Sequence, residues 1–141
     1  MNALDLRKTF PRSPAEVLGD FVLLARIIDK CRAAIAGTNG EYNFNCPLDR
    51  RFFDFTGIDS DAFKSQVAKG ASDNEVVAWV REKTQHLSAD QIAAWSYDAR
   101  RRTPQSVEEK AYFENYCRKF APHARHISAW FEMLDAEEKR L

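Results

Sequence analysis

The sequence predicts an all-α protein, a compact multi-helix bundle packed around a central apolar N-terminal helix. Three observations favour this fold class. Helix-start motifs recur along the chain, apolar residues repeat every three or four positions, and no pair of alternating segments with hairpin-type turns occurs. The chain has 141 residues, the size of one domain, and we expect residues 1–141 to form a single helical domain.

Helix starts are marked by capping boxes, in which a serine and a glutamate or glutamine three residues later each accept a hydrogen bond from the other's backbone amide. Apolar residues at helical spacing follow each of these motifs. The motifs occupy residues 13–16, 72–75, 88–91 and 106–109. They predict helices over residues 14–36, 73–84, 89–101 and 107–120.

The first predicted helix begins at Pro14 and ends at Ala36, with Gly37 as a left-handed C-cap. Its apolar residues form two stripes that together cover most of its circumference. A helix with this pattern buries several faces at once. We therefore expect it to lie at the centre of the bundle.

The rest of the chain predicts shorter elements. Residues 41–45 alternate in character and predict a short extended segment. Two short helices are expected at residues 48–55 and 60–69, stopped by Gly57 and Gly70. A last helix is expected at residues 124–139, and its dense charge run predicts an end that faces solvent.

Charge and hydropathy narrow the classes of function. The 21 basic residues are balanced by 21 acidic residues, so no overall field attracts nucleic acid or an anionic membrane, and we expect neither as a partner. The arginines at 100–102 are interpreted as a solvated helix end, because acidic residues interleave with the basic residues that follow. The N-terminus lacks the apolar core of a signal peptide, and no apolar run could span a membrane, so we expect a cytoplasmic protein.

Cysteines and histidines give little indication of metal or thiol chemistry. Cys31, Cys46 and Cys117 are widely spaced and predict free thiols, the first and third as small core residues. His123 and His126 could share a metal on a helix, but no carboxylate stands beside them at a metalloprotease spacing. Phosphate-binding loops, dinucleotide fingerprints and serine-nucleophile motifs do not occur. We predict no metal site and no cofactor.

The most informative polar residues lie on the first predicted helix. Arg26, Asp29, Lys30 and Arg32 place four charges within two turns of a helix that is otherwise apolar. Buried charge is costly unless it is paired and hydrogen-bonded. This cluster is therefore the first candidate for a functional site.

Two interpretations of the cluster remain open. In the first, it lines a polar cleft for a small anionic or zwitterionic ligand, since a guanidinium suits a carboxylate or phosphate. The cleft would also include residues of the next segment, namely Glu41, Tyr42 and Asp49. In the second, Asp29 and Arg32 only tie the following loop to the helix, through the loop backbone and Asp49.

Several short motifs resemble those of one bacterial family. The distinctive pieces are Pro11-Arg12-Ser13-Pro14, Arg26-x-x-Asp29-Lys30-x-Arg32-Ala33, Gly40-Glu41-Tyr42, Cys46-Pro47-Leu48-Asp49 and Ser72-Asp73-x-Glu75. Together they resemble the family called domain of unknown function 5069, over most of the chain. The resemblance implies a small bacterial protein with no settled activity, and it assigns no catalytic or binding residue.

The leading hypothesis is a small cytosolic binding or interaction module, whose functional surface lies where the first helix meets residues 41–49. The alternative is an acid–base enzyme that acts on a small polar metabolite through the same cluster, with Asp29 or Asp49 as the acid or base. Large aromatic residues on the later helices could also serve a protein partner or a homodimer. The sequence leaves these alternatives open.

Overall fold

The computed structural model describes residues 3–141, and within them the chain forms seven α-helices and no strand beyond an isolated bridge. The all-α prediction is confirmed. The helices are α1 (Leu24–Ala36), α2 (Pro47–Thr56), α3 (Ser60–Ala68), α4 (Asp73–Lys83), α5 (Ala89–Arg101), α6 (Val107–Phe120) and α7 (Trp130–Glu137).

Helix α1 lies at the centre of the fold, as predicted. Its buried residues run around its circumference and include charged as well as apolar side chains. Ile27, Ile28 and Cys31 are fully buried in the main apolar cluster, which confirms Cys31 as a core residue. The helix ends at Gly37, whose φ of 75° is the left-handed conformation that glycine adopts without strain.

The predicted start of the first helix is wrong, because α1 begins at Leu24 and not at Pro14. Residues 14–23 follow an irregular path that includes a tight turn, in which Leu18 and Phe21 exchange backbone hydrogen bonds of 2.9 and 3.0 Å. A right-handed helix cannot continue through residues with left-handed backbone. Three such residues interrupt the segment, with φ values of 57° at Gly19, 72° at Asp20 and 71° at Leu23.

The hydroxyl group of Ser13, predicted to cap that helix, has another role. It accepts a hydrogen bond from the backbone amide of Ala15 at 3.1 Å and donates one to Asp135 at 3.0 Å. Asp135 belongs to α7. Ser13 therefore ties the N-terminal segment to the last helix.

Of the other three predicted capping boxes, two are complete and one is half formed. Ser72 and Ser88 form complete capping boxes at the starts of α4 and α5. Ser106 accepts from the backbone amide of Glu109 at 3.0 Å, but within residues 3–141 the Glu109 side chain accepts no bond from the amide of Ser106. The stops of α2 and α3 also hold, because Gly57 and Gly70 have φ values of 73° and 82°.

Aromatic contacts join α2, α3 and α5. Phe53 of α2 meets Phe63 of α3 edge to face at 5.4 Å between ring centroids, and Phe55 of α2 stacks on Trp95 of α5 at 4.9 Å. Such pairs contribute about 0.5–1.5 kcal/mol each beyond the area that they bury. These contacts hold α2 in place, and the first two turns of α2 form part of the cleft described below.

Two further predictions are corrected. Residues 41–45 form turns and not an extended segment, because they close back through a hydrogen bond from the amide of Tyr42 to the carbonyl of Asn39 at 3.0 Å. The last helix is shorter than residues 124–139, since His126 has a left-handed φ of 61° and Glu132 caps the start of α7 by accepting from the amide of Ala129 at 2.9 Å. Of the helices in residues 3–141, none is long and apolar enough to cross a membrane.

Candidate ligand-binding cleft

All four charged residues of α1 are engaged by side chains or backbone from distant parts of the chain. Arg26, Asp29 and Lys30 are at most 5% exposed, and Arg32 is partly buried. Each has a partner of opposite charge within 3.0 Å. The pairing satisfies the requirement that buried charge be compensated.

Arg26 binds the chain's C-terminal end. Its guanidinium donates two hydrogen bonds to the carboxylate of Glu138, at 2.9 and 2.7 Å, and Glu138 also accepts from the Tyr42 hydroxyl at 2.8 Å and from Arg140 at 2.5 Å. Glu138 is only 2% exposed. The prediction that the charge run at the end of the last helix faces solvent is therefore wrong for this residue, because Arg26 binds it inside the fold.

These contacts shift the pKa values of the two acids in opposite directions. Burial alone would raise the pKa of Glu138, but the hydrogen bonds and charge of Arg26, with the bonds from Tyr42 and Arg140, hold it below its ordinary value. The pKa of Tyr42 is raised by burial and by its hydrogen bond to the Glu138 carboxylate. Glu138 is therefore ionised and Tyr42 is neutral at neutral pH.

Lys30 binds the start of α2. Its ammonium group lies 2.8 Å from a carboxylate oxygen of Asp49, and the other oxygen of Asp49 accepts from the amide of Asn45 at 2.9 Å. Asp49 is completely buried. Lys30 also lies 3.2 Å from the sulfur of Cys46, the residue that precedes α2. These contacts fix the loop of residues 38–46 against α1.

Asp29 and Arg32 belong to a second network on α1, which meets the first where Arg26 donates to the backbone carbonyl of Arg12 at 3.2 Å. Arg12 donates to Asp29 at 3.0 Å and to Asp73 of α4 at 2.8 Å, while Arg32 lies 3.0 Å from Asp73 and donates to the carbonyl of Ala71. Burial would raise the pKa of Asp73, but Arg12 and Arg32 lower it. This network ties the N-terminal segment and α4 to the central helix.

A cleft of about 890 Å³ lies where the first interpretation of the charge cluster placed one. This volume is typical of small-molecule sites. Four parts of the chain line this loop cleft: the N-terminal segment, α1, residues 40–51, and the pair α6 and α7. The lining residues are Leu6, Arg7, Phe10, Arg26, Lys30, Gly40, Glu41, Tyr42, Asn43, Cys46, Pro47, Leu48, Arg51, Tyr112, Tyr116, Trp130, Met133, Leu134 and Glu137.

The structure separates the seven predicted site residues into three groups. Four of them, Arg26, Lys30, Glu41 and Tyr42, line the loop cleft. Asp49 is buried behind Lys30 and does not line it. Asp29 and Arg32 lie in the network with Arg12 and Asp73, and Asp29 has no bond to Asp49 within residues 3–141.

Arg51 differs from the other cations of the loop cleft. Arg7, Arg26 and Lys30 each form a salt bridge, whereas Arg51 forms none among residues 3–141. Its Nη1 atom is buried without a hydrogen-bond partner. Burial and the nearby charge of Arg102 lower the pKa of Arg51, and only Glu109 acts against them. Arg51 is thus a partly buried cation that forms no salt bridge within residues 3–141, although Glu109 lies close enough to favour its charge.

Trp130 carries a second unsatisfied donor on the same cleft. Its indole Nε1 atom is buried and finds no acceptor among the residues that the structure describes. The backbone amide of Trp130 donates to the carbonyl of Arg102 at 3.1 Å. Arg102 is therefore a common neighbour of Trp130 and Arg51.

Aromatic side chains give the loop cleft apolar walls. On the α6 and α7 side, the Tyr112 ring lies 5.8 Å from Tyr116 and 6.3 Å from Trp130, measured between centroids. Phe10 lies in the N-terminal segment that also lines the cleft. Phe10 is 43% exposed and Tyr112 is 58% exposed, so apolar surface remains open to a ligand.

The family model for a domain of unknown function, DUF5069, matches residues 8–140. The chain belongs to this family. The resemblance found in the sequence motifs is confirmed. No curated protein matches the chain. The region that matches DUF5069 contains lining residues from all four parts of the loop cleft and leaves out only Leu6 and Arg7.

Two other possible sites in this DUF5069 protein have fewer indications of ligand binding. A groove of about 800 Å³ lies between α6 and residues 121–128, and Cys117 lines it. Burial raises the pKa of Cys117, which lowers its reactivity. Within residues 3–141, no three His, Cys, Asp or Glu side chains come close enough to hold a metal ion. His123 is exposed and contacts the carbonyl of Leu141 at 3.1 Å.

Arg12, Glu138, Arg51 and Trp130 were missed by the sequence analysis. Arg12 lies in one of the family-like motifs and Glu138 lies in the charge run of the last helix. Neither pattern indicates which residue the side chain would bind. Arg51 follows Arg50 near the start of α2. Two adjacent arginines predict an exposed charged pair, although only Arg50 is exposed and Arg51 is partly buried. Trp130 falls inside the predicted last helix, and nothing in its sequence environment indicates an unsatisfied donor.

Proposed function

We propose that this protein is a binding module for a small anionic ligand, which it takes into the loop cleft. The proposal rests on one observation about charge. Buried carboxylates neutralise Arg26 and Lys30 in the cleft, whereas Arg51 forms no salt bridge among the described residues. A cleft of ligand size with one uncompensated guanidinium is suited to an anion.

Binding is favoured over acid–base catalysis by the state of the two candidate carboxylates. Asp49 is completely buried and bonded to Lys30, and Asp29 accepts three hydrogen bonds from Arg12. Either carboxylate could take a proton from a ligand only by breaking a buried or partly buried ion pair, which is unfavourable. No specific contact favours the enzyme hypothesis.

A thermal-shift screen tests the proposal, because a ligand that binds only the native state raises the melting temperature. The library should contain small carboxylates, phosphate esters and neutral compounds of matched size. A ligand at a hundred times its dissociation constant stabilises the native state by about 2.7 kcal/mol. For a chain of 141 residues, this corresponds to an increase of about 9 °C.

A pair of matched variants shows whether the ligand occupies the loop cleft. Asn43→Trp fills the cleft from an exposed position, and Asn74→Trp adds the same side chain at an exposed position of α4 outside it. We expect anionic compounds to stabilise the wild type and Asn74→Trp but not Asn43→Trp. A library without a stabilising anion, or hits that persist in Asn43→Trp, would contradict the proposal.

A further inference from the structure

We infer that the ligand of the loop cleft is a carboxylic acid with a planar aromatic body, and that Arg51 holds its carboxylate. This inference rests on the proposed function, and it adds the chemical class of the ligand and the residue that anchors it. Three observations carry it: the free charges that line the cleft, its two unsatisfied donors and its aromatic walls.

The free charges that line the cleft limit the negative charge that a ligand can carry. Arg51 is the one lining cation without a salt bridge among residues 3–141. Two carboxylates, Glu41 and Glu137, line the same space, and neither forms a salt bridge in the described part of the chain. A dianionic phosphate would be attracted by one free cation and repelled by two carboxylates. A monoanionic carboxylate also pairs with Arg51, but the repulsion from Glu41 and Glu137 is smaller because its charge is lower. A carboxylate is therefore favoured over a phosphate ester.

The two unsatisfied donors require acceptor oxygens. A buried N–H without a partner costs free energy, and the cost is larger for a charged group. Arg51 Nη1 and Trp130 Nε1 are both in this state, and both atoms belong to residues that line the cleft. A carboxylate has two oxygens and up to four acceptor sites, so one group has enough acceptors for both donors. Both atoms are screened from solvent, so the ligand reaches them only by displacing side chains of the cleft wall.

The apolar walls favour a flat body behind the carboxylate. Tyr112 is 58% exposed and lies against Trp130 on one side, and Phe10 is 43% exposed in the N-terminal segment. Aromatic rings pack best against other rings in offset or edge-to-face contact. An aromatic acid would cover this exposed apolar surface while its carboxylate reaches Arg51.

Calorimetric titration with acid and amide pairs tests the inference on the chain of 141 residues. The probes are benzoate, 2-naphthoate and indole-3-acetate, each paired with its neutral carboxamide, which keeps the shape and removes the charge. The variants are Arg51→Gln and the matched control Arg50→Gln, which changes the adjacent exposed arginine outside the cleft. Trp130→Phe keeps an aromatic ring and removes the indole donor.

We expect the wild type and Arg50→Gln to bind at least one acid about tenfold to a hundredfold more tightly than its amide, the range for a hydrogen bond to a charged group. Arg51→Gln should lose most of this preference, and Trp130→Phe should lose a smaller part. Equal affinity for acid and amide in the wild type, or an acid preference that Arg51→Gln retains, would overturn the inference, as would failure of all three acids to bind at millimolar concentration.

The failure of this inference can be told apart from the failure of the proposed function. An anionic hit from the screen that Asn43→Trp abolishes but Arg51→Gln leaves unchanged would keep the loop cleft as the site and exclude Arg51 as the anchor. A phosphate ester that binds through Arg51 more tightly than any aromatic acid would exclude the carboxylate class alone. If no anion binds in the cleft, both proposals fail.

Discussion

The ion pair between Arg26 and Glu138 supports a quantitative prediction about stability. Arg26→Met keeps the apolar part of the side chain and leaves Glu138, which is 2% exposed, without two of its hydrogen bonds. Removing one partner of a buried pair costs about 3–5 kcal/mol. Tyr42 and Arg140 still donate to Glu138, so we expect a loss near the lower limit, about 3 kcal/mol.

The expected loss of unfolding free energy corresponds to a decrease in melting temperature that depends on the length of the chain. Unfolding entropy is about 2.1 cal/mol/K per residue, or about 300 cal/mol/K for 141 residues. The predicted decrease in melting temperature is therefore about 10 °C. Circular dichroism during thermal and urea unfolding measures it. Arg7→Met, which breaks the exposed pair with Asp5, is the control and should change the melting temperature little.

A double-mutant cycle tests the reasoning behind this number. Arg26→Met combined with Glu138→Leu replaces both charges by apolar groups, which is often close to neutral for a buried pair. The double variant should therefore be more stable than Arg26→Met alone. The reasoning would be refuted by a loss below about 1 kcal/mol in Arg26→Met, or by a double variant whose loss equals the sum of the two single losses.

Three further predictions concern pH, glycine conformation and thiol reactivity. The native pKa of Glu138 lies below its ordinary value of 4.5. The ionised carboxylate therefore stabilises the fold above pH 4.5, and this contribution is lost as the pH falls through the native pKa. In melting curves below pH 4.5, the stability difference between the wild type and Glu138→Gln should therefore shrink. Gly57→Ala should cost about 1 kcal/mol, because φ is 73° and the space around the new Cβ is open. Gly19→Ala should cost more, since its Cβ would lie 2.7 Å from the Val77 side chain. Urea unfolding measures both losses of stability, and equal losses would contradict the steric argument. Burial raises the pKa of Cys31 to about 12, so iodoacetamide should modify it in urea but not in the native protein, as peptide mass spectrometry would show.

The helix starts and stops that depend on local chemistry were predictable. Ser72 and Ser88 cap their helices through contacts that span three residues, and Gly37 ends α1 through its own backbone conformation. Residues 14–23 were not predictable in the same way. Asp20 and Leu23 adopt left-handed backbone although neither is glycine, so the surrounding fold imposes that conformation against their local preference.

The buried charges were recognisable, but their partners were not. The pattern of α1 identified four charges on an apolar helix, and the cost of burial implied that each is paired. The partners lie 17 residues away for Asp29, 19 for Lys30 and 112 for Arg26. No periodicity in one sequence connects residues at such separations. The position of the loop cleft could be predicted because Tyr42 and Glu41 follow α1 closely, whereas its α6 and α7 wall could not.

The second interpretation of the charge cluster is wrong in its residues, because Asp29 and Arg32 bond to Arg12, Asp73 and Ala71 and not to the loop that follows α1. Other charges of α1 make the ties that it predicted. Arg26 ties the C-terminal end to α1, and Lys30 ties the start of α2 to it. Residues 38–46 lack helix or strand structure, so buried polar contacts must hold them where backbone hydrogen bonding does not. Those same ties position three of the four parts of the chain that line the loop cleft. The charges of α1 would then act on a ligand by shaping its cleft, and Arg51, which forms no salt bridge within the described chain, would supply the charge that attracts it.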